Sequence, residues 1–460
     1  MIEPLFQDKT VSVVGLGKLG LPLAACIAAK GFQVVGVDCD ARKVADLNLG
    51  RASTFEPHLE ETIRSSAERI RAVQDIESAV ASSEITFVVV ATPSEDDGSF
   101  SLRYVLSACE DIGRALRTKH SHHLVVLTST VMPGSTGGIV RETLEKTSGK
   151  RVGRDFGLCY SPEFIALGSV IYDLLHPDFL LIGESDRHSG AILEALYRNI
   201  CENEPSVAHM NFVNAEIAKL SVNTFVTTKI SFANMLARIC ERLPEADVDV
   251  VTGALALDTR IGGKYLKGAV GYGGPCFPRD NRALAALARQ IGSPADIAQV
   301  TDTFNRAQGT WLADLVERMA QPGSTVGILG LTYKPNTDVV EQAIGLLLAE
   351  ELAARHVAVV SYDPSGSRRL FACVQGAVRF ADSAVECISE SDTVVMATPW
   401  EAFAQIPAER WARIREPRIV IDCWRILGFL RDSPGICYVA LGRGKLPLVH
   451  RRSSVHQNVP

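Results

Sequence analysis

The sequence is poor in several features that would have pointed elsewhere. No two of its eleven cysteines are spaced C-x-x-C, and the count is odd. This argues against a disulfide framework and a thiolate zinc site, and leads us to expect a reducing compartment with mostly buried, inert thiols. Positive charge is not in excess: 47 Lys+Arg against 53 Asp+Glu leave a net of −6. That balance excludes a generic polyanion-coating role, nucleic acid included, but allows a local basic pocket for a phosphorylated small molecule. An uninterrupted membrane-length apolar run is missing as well. Val11–Ala29 (VSVVGLGKLGLPLAACIAA) comes nearest, but three glycines and Lys18 break it and no basic n-region precedes it. A strand, a glycine turn and a helix fit those residues better. The expectation is a cytoplasmic protein with no membrane partner. No short-period repeat is present.

What is there is globular. At 47% hydrophobic and 22% charged, the composition excludes a disordered or fibrous chain, and 460 residues suggest two or three domains. The first third alternates strand and helix: Thr10–Gly15, Leu19–Lys30, Phe32–Asp38, Ala41–Leu49, then strands at Ile85–Thr92 and His123–Thr130. Continuous apolar strands separated by helices imply a parallel sheet covered on both faces, with ligands beyond the carboxyl ends of the strands. From about Asn214 to Leu243 and from Arg282 to Met319 the pattern is helical. Alternation then resumes at Thr325–Leu331, Val357–Tyr362, Thr393–Thr398 and Arg418–Asp422. The fold class is therefore α/β: two Rossmann-like domains (1–205 and 321–445) joined by a central all-helical domain (206–320), with a loose tail over 446–460.

Three constellations carry chemistry. Gly15-Leu16-Gly17-Lys18-Leu19-Gly20 is a G-x-G-x-x-G after a strand and opening a helix. Its glycines allow the tight turn, the approach of a pyrophosphate and close helix–strand packing, while the helix N-terminus offers free N–H groups to the phosphates. Asp38, about twenty residues on, ends the second strand, where a carboxylate binds the ribose hydroxyls and repels a 2′-phosphate, so NAD is expected over NADP. The bland alternative is a glycine turn without a ligand. Next, Gly271–Asp280 (GYGGPCFPRD) sets Cys276 among glycines before a helix at Ala283–Gln290. A thiol at a helix N-terminus tends toward the nucleophilic thiolate; one more structural thiol is the alternative. Finally, Glu216, Lys219 and Asn223 lie on one helical stretch. Lys219 and Asn223, four apart, share a face and could meet an oxyanion, or form an ordinary solvated face. Glu163, in Ser161-Pro-Glu-Phe164, is a lone carboxylate after a strand.

Taken in order, GLGKLG, Asp38, ATP at Ala91–Pro93, STVMPGST at Ser129–Thr136, SPEF, AEIAKLSVN, GYGGPCFPRD and LTYKPNTD resemble the nucleotide-sugar dehydrogenases over roughly residues 10 to 443. The resemblance implies a four-electron oxidation of a sugar C6 alcohol to the carboxylate with two NAD in succession. It makes Cys276 the nucleophile, Lys219 and Asn223 the oxyanion donors, and Asp280 a proton carrier near the thiol. Glu163 and Thr130 would serve hydrolysis. Cofactor contacts would be Gly15, Leu16, Gly17, Lys18, Leu19, Gly20, Asp38, Lys43, Thr92, Thr130 and Arg279, the last where a lysine is usual. Sugar-nucleotide contacts would be Glu163, Phe164, Ile165, Ala166, Leu167, Lys219, Asn223, Tyr265, Leu266, Lys267, Gly268, Ala269, Gly273 and Lys334. Arg260 would reach the sugar of the neighbouring subunit, which implies a homodimer through the central helical domain.

The chain departs from the family pattern in three places. Leu167 stands where many UDP-glucose enzymes have a second glutamate. Val339, Glu341 and Ala343 fill a D-x-R-x-S pattern, and Cys423-Trp424-Arg425 replaces glycine-arginine-asparagine. The leading substrate is UDP-glucose, because Phe164 stands where N-acetylhexosamine enzymes tend to have arginine; UDP-N-acetylhexosamines and GDP-mannose are the close alternatives. From a different class, a two-electron β-hydroxyacid dehydrogenase shares a dinucleotide domain and a helical lysine, but needs neither the cysteine nor the third domain. A non-catalytic NAD-binding regulator would have lost Cys276, Lys219 or Asp280, and all three are present.

Overall fold

TVSVV at Thr10–Val14 is β-branched and apolar, and in the computed structural model it forms strand β1 with four residues buried. The structure describes residues 9–365, 374, 378–413 and 417–444; the tail expected at 446–460 lies outside them. These residues fall into two units. One holds the described residues up to Thr224 together with Arg279–Asp296; the other holds Phe225–Pro278 and the described residues from Ile297 onward. The region read as helical, 206–320, is thus divided between them.

In the first unit, β1 is central. It pairs in parallel with β2 (Gln33–Val37) on one side and with β4 (Ile85–Val88) on the other. With β3 (Ile70–Val73), β5 (Leu124–Leu127), β6 (Gly157–Tyr160), β7 (Phe179–Glu184) and β8 (Ser206–Met210) the sheet runs β3-β2-β1-β4-β5-β6-β7-β8. Only the β6–β7 pairing is antiparallel. Strand order reverses between β1 and β4, which creates the crevice where open α/β sheets bind ligands. Val11, Val13, Phe87 and Val126 are fully buried beneath helix Gly20–Ala29. Each such side chain contributes about 1.5–3 kcal/mol, and Phe87→Ala would cost about 3–5 kcal/mol. The strands are shorter than the apolar runs suggested. Beyond Val88 the chain enters a loop, where the Ser129 hydroxyl donates to the Val90 carbonyl at 2.7 Å.

The second unit has its own sheet. Strands β9 (Val326–Leu329), β10 (Val359–Tyr362), β11 (Val378–Phe380), β12 (Thr393–Met396), β13 (Arg418–Asp422) and β14 (Ile436–Ala440) run β11-β10-β9-β12-β13-β14. All five pairings are parallel. Relative strand order therefore repeats the first six positions of the other sheet. So does the first turn. Gly330 adopts φ +94°, and a Cβ on Gly345 would lie 2.0 Å from the Gly330 carbonyl oxygen. Asp363, just past β10, accepts the N–H groups of Leu331 and Thr332 at 2.6 and 2.9 Å. The sequence reading gave dinucleotide glycines to the first domain alone. Here residues 331–344 separate the two close-packed glycines and hide the likeness.

Helices supply the remaining frame. Phe212–Cys240 is one long helix, and Phe277–Gln290 and Asp296–Met319 replace the single helical stretch read from Arg282 to Met319. Among the described residues no helix is long and apolar enough to cross a membrane.

Candidate active site

The first unit assembles a dinucleotide cradle at the β1–β4 crevice. Gly15 has φ +99°, and a Cβ there would lie 2.4 Å from the Val89 carbonyl oxygen; a Cβ on Gly20 would lie 1.8 Å from the Gly15 carbonyl oxygen. A Cβ on Gly17 would meet nothing within 4 Å, which leaves room beside its backbone for a phosphate. Leu16 is buried and Leu19 packs on the core, whereas the Lys18 side chain faces outward. Asp38 accepts the Leu16 N–H at 2.9 Å, the Asp40 N–H at 2.9 Å and the Lys43 ammonium at 3.0 Å. Burial pushes its carboxyl upward, but those N–H groups and the ammonium outweigh burial and hold it below the usual range. The carboxylate is thus fixed in its charged form at the end of β2, where an adenosine ribose would lie.

Beyond β4 and β5 the polar strand ends interlock. The Thr92 hydroxyl donates to the Thr130 carbonyl at 2.8 Å, and an Arg279 N–H approaches the Thr92 carbonyl at 3.4 Å. Arg279 lies over the Phe100 ring at 4.6 Å and pairs with Asp280 at 3.3 Å. Asp280 is fully buried, and the Asn223 amide donates to it at 2.6 Å. Asn223 is therefore oriented by a carboxylate. One turn earlier on the same helix, the Lys219 ammonium donates to the Glu163 carbonyl and sits 4.5 Å from the Phe164 ring centroid. The Phe164 ring in turn packs on Phe179 at 4.7 Å.

Glu163, just past β6, lies beside the Tyr197 hydroxyl. The Tyr197 hydroxyl donates to it at 3.3 Å, and that oxygen also meets the Ser161 hydroxyl at 2.9 Å. Burial raises the Glu163 carboxyl to about 7, against the opposing pull of Tyr197 and Lys219. A carboxyl poised there exchanges a proton at neutral pH.

Two residues that sequence reasoning missed hold the loop after Glu163. Glu56 accepts the Gly168 and Val170 N–H groups, each at 2.8 Å, and Asp173 accepts that of Ala166 at 2.8 Å. Ile165 and Leu167 pack on the sheet core, so Leu167 fills an apolar niche. Glu56 lies far away in sequence, and nothing in its spacing announced it. Tyr197, also missed, lay in an amphipathic helix that reads as core.

The second unit carries the thiol. Cys276 is exposed and stands immediately before helix Phe277–Gln290, which starts earlier than the apolar periodicity indicated. The preceding glycines allow backbone to meet backbone. A Cβ on Gly273 would lie 2.5 Å from the Gln342 carbonyl oxygen, and the Gly274 N–H donates to the Glu341 carbonyl at 2.7 Å. Position 341 thus acts through its main chain, while its side chain is exposed. Buried Asn234 anchors the segment from Tyr265, donating to the Val270 carbonyl at 2.7 Å and accepting the Ala269 N–H at 2.8 Å. Leu266, Gly268 and Ala269 are buried, whereas Tyr265 and Lys267 are exposed. Lys334 lies 5.9 Å from the Tyr333 ring centroid. Arg260 is exposed and forks onto Asp258. Arg425 forms a bidentate pair with Asp249 at 2.7 and 2.8 Å, which gives this departure a packing role. Burial drives Cys26, Cys109 and Cys387 up to about 12 and keeps them as inert thiols; Cys39, by contrast, is exposed.

Comparison with known proteins decides the family. Models of the UDP-glucose/GDP-mannose dehydrogenase family match residues 9–201 (NAD binding domain), 213–307 (central domain) and 327–428 (UDP binding domain). The chain belongs to this family. UDP-glucose 6-dehydrogenase AglM of Haloferax volcanii is 35% identical over 91% of this chain and 97% of its own. A GDP-mannose 6-dehydrogenase of Pseudomonas syringae is 30% identical over 93% of this chain and 100% of its own. Among solved structures, a UDP-glucose dehydrogenase from Pyrobaculum islandicum superposes with a TM-score of 0.87 at 31% identity, covering 96% of this chain and 100% of that one. This family member is an NAD-dependent oxidoreductase that oxidises C6 of a nucleotide sugar. The glycine cradle, the open space at Gly17 and the charged Asp38 fit NAD.

Proposed function

We propose that the enzyme oxidises UDP-glucose to UDP-glucuronate through a covalent adduct on Cys276. NAD, when bound, accepts the hydride lost from C6 in each of the two oxidations. Lys219 and Asn223 donate to the C6 oxygen as negative charge develops on it. The Cys276 thiolate adds to the aldehyde carbon to give a thiohemiacetal, which holds an intermediate that would otherwise escape. Loss of the second hydride leaves a thioester. Glu163 then takes a proton from water as the water attacks the acyl carbon. The C–S bond breaks, releasing the carboxylate and returning the thiolate, with Asp280 handling the proton near sulfur. Thr130, through a water, assists this step.

The observation that carries the reading is Phe164 beneath the Lys219 ammonium. The ring face stabilises the cation in its place, whereas an arginine there would repel it. This favours an unsubstituted hexose over an N-acetylhexosamine. We assign the nucleotide to the C-terminal domain and the cofactor to the first. We also propose a homodimer. Phe225, Phe232, Met235 and Ile239 recur on one exposed face of the long helix, with Val250 and Leu257 exposed nearby in sequence. Such a stripe calls for a partner, and exposed Arg260 would extend to the partner's sugar. A panel of UDP- and GDP-sugars scored by NADH formation tests the substrate. UDP-glucose should give the highest kcat/KM; a higher value for GDP-mannose or a UDP-N-acetylhexosamine would overturn the assignment.

A further inference from the structure

Glu216 is fully buried on the long helix, and its two carboxylate oxygens each accept one loop N–H: Gly134 at 2.5 Å and Thr136 at 2.8 Å. Burying a carboxylate is costly, and here two main-chain donors from a distant segment offset that cost. That segment is the loop after β5. Its near end is held by the Ser129 hydroxyl on the Val90 carbonyl and by the Thr92 hydroxyl on the Thr130 carbonyl. Its far end turns through Gly134 at φ +95° and enters a one-turn π-helix, Thr136–Val140, broken at Gly138. The Ser135 N–H bonds to the Met132 carbonyl at 3.0 Å, and the Gly138 and Val140 N–H groups bond to the Gly134 and Ser135 carbonyls at 3.1 Å, while Glu216 holds the Gly134 and Thr136 N–H groups from outside the loop.

The helix makes this anchor more than a staple. Glu216, Lys219 and Asn223 follow one another at i, i+3 and i+7, so they share one face. Glu216 grips the Gly134–Thr136 turn, Lys219 the Glu163 carbonyl and Asn223 the Asp280 carboxylate. Three separate segments are registered by three successive turns of one element. We propose that Glu216 is a positioning residue: its carboxylate sets the Ser129–Thr136 loop so that Thr130 meets the cofactor in register with Lys219 and Asn223. This rests on the reading above that Thr130 contacts NAD.

The test uses the full-length enzyme with Glu216→Gln and Glu216→Asp. An amide nitrogen cannot accept an N–H, so Glu216→Gln leaves one of the two loop donors without its partner. Hydrogen exchange of the ligand-free protein should speed up at Gly134 and Thr136. The KM for NAD should rise about tenfold, the value of one charge-assisted hydrogen bond, and kcat should fall, while the KM for the nucleotide sugar stays within about twofold. Glu216→Asp, which keeps both oxygens on a shorter stem, should recover part of the NAD affinity. If Glu216→Gln does not fold, Glu216→Asp is read alone and should show a smaller rise in the NAD KM. Faster exchange with an unchanged NAD KM would overturn the proposal, since the anchor would then be structural only. An unchanged NAD KM in Thr130→Ala would instead remove the cofactor contact on which the proposal rests, and the proposal with it.

Discussion

Glu163→Gln probes the chemistry and the energetics of the site together. Burial lifts the carboxyl from 4.5 to about 7, so ionising it costs the folded state on the order of 3 kcal/mol. The sign follows from proton binding. Between pH 4.5 and about 7 the folded state keeps a proton that the unfolded chain has lost, so stability falls as pH rises through that window and levels off above it. Glutamine keeps a carbonyl to accept the Tyr197 hydroxyl and cannot ionise. The variant should therefore match the wild type near pH 4 and exceed it near pH 8 by on the order of 2–3 kcal/mol, seen as a higher melting temperature. Activity should move the other way. A general base contributes about 10²-fold or more, so uronate formation should fall by at least that factor, and the acidic limb near pH 7 should vanish from the rate profile. Melting curves from pH 4 to 8, run beside the rate profile, read both effects. A variant that keeps the limb, or that shows no gain in stability at pH 8, would refute the assignment of Glu163 as the titrating base.

The remaining predictions are more local. Asp38→Ala should raise the NAD KM about ten- to a hundredfold, through loss of the ribose acceptor and of the Leu16 N–H contact. It should also narrow the preference for NAD over NADP; equal turnover of the two cofactors by the wild type would sink the assignment. Glu341→Ala should leave the NAD KM within about twofold, because the 341 main-chain carbonyl, not its exposed side chain, holds Gly274. A large loss would show that the carboxylate has its own role. If the proposed homodimer forms through the long helix, Phe232→Lys should lower the mass seen by light scattering from dimer to monomer, since a charge would enter an apolar stripe; an unchanged mass would overturn that interface.

The α/β character was legible because TVSVV, ITFVV and TVVMAT are runs that only a doubly covered parallel sheet buries whole. The glycine loop and Asp38 were legible because their spacing is short and fixed by one βαβ unit. The second such turn was not, because Gly330 and Gly345 are separated by a long excursion and Asp363 offers no fixed offset to search for. Strands β3, β6 and β8 were missed because their short or polar-interrupted runs lack the apolar signature of β1 and β4, whereas β7 (FLLIGE) carries that signature and went unread. Lys219 and Asn223 could be seen to share a face. That Phe164 lies under the lysine, or that Glu216 and Glu56 grip distant loops, is tertiary information carried by side chains far apart in the chain.

Cys276 as the covalent nucleophile is the step on which the proposed four-electron oxidation depends. The direct measurement is the NADH-to-uronate ratio of the wild type, together with uronate formation by Cys276→Ser. The thioester route predicts two NADH per uronate for the wild type. The serine variant should make almost no uronate while retaining slow oxidation to the aldehyde, because a hydroxyl is the poorer nucleophile and a serine ester the poorer leaving group. One NADH per product, or undiminished uronate formation by the serine variant, would contradict it and return the chain to two-electron chemistry with Cys276 as a structural thiol.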